Sequence, residues 1–147
     1  MNTIAIPAER LHVVWHELAP LLERAVRRSA DKPDLVAHLL AGEAQLWAVY
    51  DGEQPVAAIV TRIQQSHDER RCLLWLIGAC PEASRRGHRV REWAADFLAE
   101  LETWARSLGC IALWGCGRRG WARIVEEFGG KSIGLFKGEP AWERRLT

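Results

Sequence analysis

An almost wholly apolar run, Cys72–Ala79 (CLLWLIGA), precedes the clearest helical periodicity in the chain, and a second apolar run, Cys110–Gly115, follows it. The periodicity starts with Val90, Trp93, Ala94, Phe97 and Leu98 and continues through Leu101, Trp104, Ala105 and Leu108 at three- and four-residue steps. Strand, long helix, strand is a βαβ unit, whose two strands run parallel and are joined by a right-handed crossover. A continuous apolar run, unlike an alternating one, predicts a strand buried on both faces. Gly109 is placed to cap the helix C-terminus.

The flanking segments complete a mixed sheet. Leu11, Val14, Trp15, Leu18, Leu22 and Val26 mark one apolar helical face. Pro20, which lacks an amide proton, is expected to kink or restart that helix. After a break at Asp31–Pro33, a short second helix is expected over Asp34–Leu40. Leu46–Tyr50 and Val56–Ile63 flank the turn sequence Asp51-Gly52-Glu53-Gln54 and read as an antiparallel hairpin. His67–Arg71 reads as a polar turn and Pro81–His88 as a loop. Trp121, Ile124, Val125 and Phe128 predict a short helix closed by Gly129-Gly130, and two weak strands follow at Ser132–Phe136 and Ala141–Leu146. The expected fold is α/β: a mixed sheet with N-terminal helices, a β-hairpin, a central βαβ unit and a short C-terminal hairpin, with helices on both faces. Residues 1–147 are expected to form one domain.

Composition excludes several classes. The apolar fraction of 48% and charged fraction of 27% over 147 residues are not those of a disordered or fibrous chain. A net charge of +1 is no bulk polyelectrolyte, so nucleic acid is not expected as the main partner. The apolar runs are too short for a bilayer span, and Met1–Arg10 carries Glu9 and no apolar signal core, so a cytoplasmic location without a membrane partner is expected. The four cysteines have no C-x-x-C spacing and read as buried free thiols. His12 and His16 stand one helical turn apart, a spacing that can bind a metal, but both fall off the apolar face and read as solvated, so no metal site is assigned. The eight tryptophans are expected mainly in packing.

This order of elements resembles the GNAT (N-acetyltransferase) superfamily over nearly the whole chain, most strongly from Leu46 to Gly130. In that family the first βαβ strand runs into R-G-x-G-x-G/A, whose backbone amides hold the coenzyme A pyrophosphate. Here the corresponding residues are Arg86-Gly87-His88-Arg89-Val90-Arg91, with arginine at both later glycine positions. A short helix after the next strand often ends Y-x-x-x-G-F, its tyrosine serving as general acid. Here the stretch is Val125-Glu126-Glu127-Phe128-Gly129-Gly130, so valine stands at the phenol position. The only tyrosine, Tyr50, lies in the first hairpin strand. Glu126 and Glu127 are carboxylates near that position, at a helix end expected to face water. The stretch Leu108–Gly130 also resembles GNAT-like proteins encoded in phage and prophage genomes.

Arginines follow both strands of the βαβ unit. Arg85, Arg86, Arg89 and Arg91, with His88, follow the first, and Arg118, Arg119 and Arg123, with Trp121 among them, follow the second. Parallel strands bring their carboxyl ends to one edge, so the two clusters are expected close together. They suit a phosphate-bearing ligand held by side chains, an acidic protein surface, or a solvated rim with Glu82, Glu92 or Glu126 as counter-charges. A Cys116 activated by Arg118 is the weakest of the candidates. Two functions follow from the resemblance. In the first, the scaffold has lost its phosphate loop and acid and serves, without a cofactor, as an interaction or structural module, with Arg91, Arg118, Arg119, Trp121 and Arg123 facing a protein partner or another copy, plausibly in a phage virion. In the alternative, the chain is an acetyl- or acyl-coenzyme A-dependent N-acyltransferase of unknown acceptor. Arg85, Arg86, Gly87, His88 and Arg89 would then bind the cofactor, with Arg86, Gly87 and Arg89 on its pyrophosphate, and backbone amides near Ile77–Ala79 would hold the thioester carbonyl.

Overall fold

The computed structural model describes residues 1–28, 34–79 and 90–146. The apolar strand becomes β4 (Glu69–Ala79), the periodic helix α3 (Val90–Ser107) and the second apolar strand β5 (Ala112–Cys116). Before them come β1 (Asn2–Ile6), α1 (Leu11–Arg28), α2 (Leu35–Leu40), β2 (Gln45–Asp51) and β3 (Gln54–Ser66). After them come α4 (Ala122–Glu127), β6 (Lys131–Phe136) and β7 (Glu139–Arg145). The sheet has seven strands in the order β1-β2-β3-β4-β5-β7-β6. β4 and β5 are parallel, and the other neighbours are antiparallel. This is the expected mixed α/β architecture.

Two apolar layers sandwich the sheet. On one face α1 and α2 bring Leu11, Leu18, Leu22, Leu35 and Leu39 against Leu46, Ala48, Ala58 and Val60. On the other, α3 brings Trp93, Ala94, Phe97, Leu101 and Ala105 against Trp47, Val49, Ile59, Cys72 and Leu113. Alternate residues of β2 and β3 serve opposite layers, as the pleat requires. Trp47 stacks edge-on against Phe97 and Trp104, with centroids 6.0 and 5.2 Å away. Its indole N–H donates to Thr61 Oγ1 at 3.0 Å, satisfying the one buried polar side chain among the described residues. Gly109 closes α3 with a φ of +80°, a conformation that costs a side-chain-bearing residue free energy.

Several expectations change. β1 is an additional strand, pairing Asn2–Ile6 with Leu46–Tyr50 of β2. Residues 69–71, expected in a polar turn, belong to β4, and only His67 and Asp68 make the bend, with His67 at a φ of 54°. Pro20 lies inside an uninterrupted α1. The carbonyl of His16 loses its helical partner there, and His16 is exposed, so water can take that bond. Trp121 precedes α4 in a 3-10 turn, Arg119–Trp121. β4 is not buried throughout, because Leu73, Leu74 and Trp75 are half-buried. None of the described helices is long and apolar enough to cross a membrane.

One contact sets where α1 lies on β4. A Cβ built on Gly78 would run into the backbone carbonyl of Leu21, so helix and strand touch main chain to main chain. Backbone cannot rotate away as a side chain can. Gly78→Ala should therefore push α1 off β4 and lower the unfolding free energy by about 1–3 kcal/mol. A urea melt with an unchanged midpoint would show that the helix slides at no cost.

Candidate active site

The two parallel strands hold together for only three residue pairs, Arg71 with Ala112, Cys72 with Leu113 and Leu73 with Trp114. Beyond them β4 continues to Ala79 and β5 to Cys116 without pairing to each other. The parting coincides with a β-bulge in β4. Val60 pairs with Leu76 and Thr61 with Leu74, leaving Trp75 as an extra residue. Trp75 and Leu76 consequently pack on the same α1 face, while Leu74 and Ile77 pack on the α3 face.

The space between the strands is a cavity of about 740 Å³ that reaches both sides of the sheet. On the α3 side Val90, Trp93, Phe97 and Leu98 line it together with Val125 and Phe128. On the α1 side it meets Leu21, Arg24 and Arg28 of the helix, and Arg62, Trp75 and Trp114 of the sheet. Gly115 sits where the strands part, and a Cβ there would approach Leu74 O to 3.2 Å. Trp93 is 3% exposed, and its indole N–H has no partner among the described residues. A buried unsatisfied donor on a cavity wall can serve an acceptor that enters the cavity.

Of the residues singled out in the sequence, Arg85, Arg86, Gly87, His88 and Arg89 lie outside the described residues, as does Cys80. Ile77 and Ala79 line the cavity. Arg91 donates to Glu127 Oε2 at 2.8 Å, tying the first turn of α3 to the end of α4. That bond holds the Glu127 carboxyl below its ordinary range, with Arg123 adding to the effect, so Glu127 is a weakened base. Glu127 thus pairs with an arginine of the first cluster and feels the charge of one from the second. Arg118 and Trp121 line the cavity, Arg118 and Arg119 are exposed, and Val125 faces the cavity with an apolar side chain. Tyr50 is elsewhere, donating to Glu17 Oε1 of α1 at 3.1 Å, and its phenol is pushed up to about 12, chiefly by burial. His12 and His16 are both exposed.

Sequence reasoning missed the α1 side of the cavity. There the Arg62 guanidinium lies over the Trp75 ring at 4.6 Å. Trp114 donates from Nε1 to Gln64 Oε1 at 2.8 Å and meets the Phe136 ring edge-on at 5.3 Å. A signal was present: Arg62 and Gln64 alternate with Thr61 and Ile63 at the end of an otherwise apolar strand, so one face turns polar while the other stays buried.

Cys116 lines the same cavity, half-buried. Burial raises its thiol above the ordinary value, Glu139 raises it further, and Lys137 opposes them. Cys72 is pushed up to about 12, mainly by burial. Both thiols are therefore poor nucleophiles at neutral pH. Iodoacetamide labelling of Cys116, followed by peptide mapping, should still be accelerating above pH 9, with Cys72 labelled only on unfolding. Labelling of Cys116 that levels off near pH 7 would show an activated thiol instead.

No family model matches the sequence, and no curated protein matches it. Solved structures do match in fold. An aminoglycoside 6'-acetyltransferase type Ii superimposes with a TM-score of 0.72 at 15% identity, over 100% of this chain and 98% of that one. Tetrahymena GCN5 gives 0.71 at 10% identity, over 100% and 97%. The PaiA N-acetyltransferase from Thermoplasma acidophilum, solved in complex with coenzyme A, gives 0.66 at 12% identity, over 99% of each chain. From β1 to β7, the chain has the GNAT acetyltransferase fold.

Proposed function

We propose that the chain is an acyl-coenzyme A-dependent N-acyltransferase, and the observation that carries this reading is the parting of β4 from β5. A similar fold alone would not require an open cleft, whereas a thioester must lie in one. The residues present fit such a ligand. Ile111 N donates to Arg70 O, which sets the side to which alternate β4 backbone groups point. Counted through the bulge at Trp75, the alternation turns the backbone groups of Ile77 and Ala79 toward the gap. Two such residues in alternate positions suit an extended, amide-bearing tail, as an added strand would. Gly115 leaves room beside them, and the Trp93 N–H offers a further donor. The pyrophosphate role given to Arg86, Gly87 and Arg89 falls outside the described residues, and Arg91 is engaged by Glu127.

Acyl-coenzyme A would supply a carbonyl carbon activated as a thioester: a C–N bond forms as the C–S bond breaks, and sulfur leaves with one proton lost by the acceptor ammonium, the other going to solvent. The protein would bind, orient and assist proton movement. An N–H of Ile77 or Ala79 would hold the carbonyl oxygen as negative charge develops on it. Glu139, an exposed carboxylate on the cavity wall beside Cys116, would take a proton from the ammonium. With Val125 at the phenol position, water would protonate the sulfur.

A second reading, a non-catalytic interaction module in a virion or other assembly, draws on two observations. Val125 supplies no acid, and the edge strand β6 exposes Ile133, Leu135 and Phe136 at 52%, 73% and 43%. A protein partner or self-association would cover that edge. Titration calorimetry with acetyl-coenzyme A separates the two readings. The acyltransferase should bind it with micromolar affinity, and Gly115→Val, which places a side chain where the strands part, should weaken binding by about tenfold or more, a loss of at least 1.4 kcal/mol. A folded, monodisperse protein that shows no binding would reject the enzyme reading in favour of the module.

A further inference from the structure

The α1-side mouth of the cavity has a chemistry that the acyl donor does not use. Its floor is aromatic: Trp75 and Trp114 stand on the same face of neighbouring strands, and Phe136 meets Trp114 from the β6 side. Both indoles are held, Trp75 by the Arg62 guanidinium and by the His38 ring edge-on at 5.6 Å, Trp114 by Gln64. A flat or branched apolar body would therefore meet fixed surfaces.

The charge across this mouth is divided. Arg24 and Arg28 project from the last turns of α1, and Arg62 from β3, all lining the cavity. Among the described residues, none of the three has a carboxylate within ion-pair distance. Arg71 and Arg144 nearby are neutralised. Arg71 pairs with Glu69 at 2.9 Å, and Arg144 pairs with Glu102 at 2.8 Å. The carboxylates of the mouth lie on the opposite side, on β7. Glu143 is engaged by Arg71 at 3.5 Å and Arg145 at 3.0 Å, and Glu139 stands beside Cys116 at the gap. Arg24, Arg28 and Arg62 thus line the α1 and β3 side, while the side across the gap mixes charge, with Glu139 and Lys137 both acting on Cys116 and Arg118 on the same wall.

We infer that the acceptor is a primary amine that also carries a carboxylate on an apolar body, the chemistry of a free amino acid with an aromatic or branched side chain. This deepens the acyltransferase reading and rests on it. The carboxylate faces Arg24, Arg28 and Arg62, whose planar guanidinium groups suit bidentate contact. The apolar body lies on Trp75 and Trp114. The ammonium points to the gap beside Glu139, loses one proton to that carboxylate and then to solvent, and the nitrogen forms the new bond to the acyl carbon. The second proton leaves with the sulfur as the C–S bond breaks.

Matched amines test the inference on the full chain, with and without coenzyme A: tryptophan against tryptamine, phenylalanine against phenethylamine, and leucine against isoamylamine. In at least one pair the carboxylate-bearing member should bind about tenfold or more tightly. Arg28→Gln should shrink that preference without altering the affinity of the paired amine, and Arg62→Gln, which also releases Trp75, should shrink it while weakening both members of the pair. Coenzyme A affinity checks that each variant is folded, and Arg28, exposed at a helix end, can be changed with little risk to the core. Equal or better binding of the plain amine in every pair overturns the inference, as does absence of binding by all six compounds. Failure of coenzyme A to bind rejects the acyltransferase reading, and the amine pairs still report on the mouth separately.

Discussion

Both strands of the short β4–β5 ladder are fully engaged on their other edges. β4 pairs with β3 from Ala57 to Ser66, and β5 pairs with β7 along all its residues. β4 is also pinned to α1 by the main-chain contact at Gly78. Closing the gap would require breaking one of these attachments, and a few extra ladder bonds would not offset the lost packing. The bulge at Trp75 adds twist to β4 just where the two sheet halves must separate. Beneath the opening, Trp93 and Phe97 of α3 replace the missing strand contact with apolar surface on one face. Ile77 and Ala79, at the free end of β4, line the cavity beside the opening.

The arginines divide into two sets with different physical roles. Arg144 and Arg106 converge on Glu102, and Arg71 and Arg145 on Glu143, joining α3 to β7 and β4 to β7. Arg91 joins α3 to α4 through Glu127. These pairs are partly or fully exposed, so they fix the register between elements more than they add stability. Arg24, Arg28 and Arg62 are spaced round the cavity mouth instead, and Arg62 is held by an aromatic face. An aromatic face orients a guanidinium while leaving its in-plane donors available, which a carboxylate partner would occupy.

The βαβ unit, the hairpin and both helical faces could be read from the sequence because each has a local periodicity. β1 could not: only Ile6 of its five residues is buried, so the segment shows no alternation. The bulge was hidden for the opposite reason. Within an unbroken apolar run, two successive residues on one face look like any others. The gap depends on where pairing stops, which is a property of partners distant in sequence. The same limit applied to the site. Motif comparison drew attention to Arg86–Arg91 and Val125, and Val125 does face the cavity. Arg62, Trp75 and Trp114 belong to three separate strands, and only the sheet brings them together.

A cavity of about 740 Å³ in so small a chain needs a reason not to collapse. Leucine or methionine walls could relax inward by changing rotamer. Here much of the wall is indole, a rigid plate with two side-chain torsions. Trp114 is held by Gln64 and Phe136, Trp75 by Arg62 and His38, and Trp93 by Phe97. Each plate is braced by a neighbour, so rotating it inward would break a hydrogen bond, a cation–π contact or an edge-to-face pair. The many tryptophans, expected from the sequence as core filler, therefore serve a second purpose. Trp47 fills the core, Trp142 is buried but also reaches the cavity, and Trp75, Trp93 and Trp114 are rigid walls of an opening between two strands.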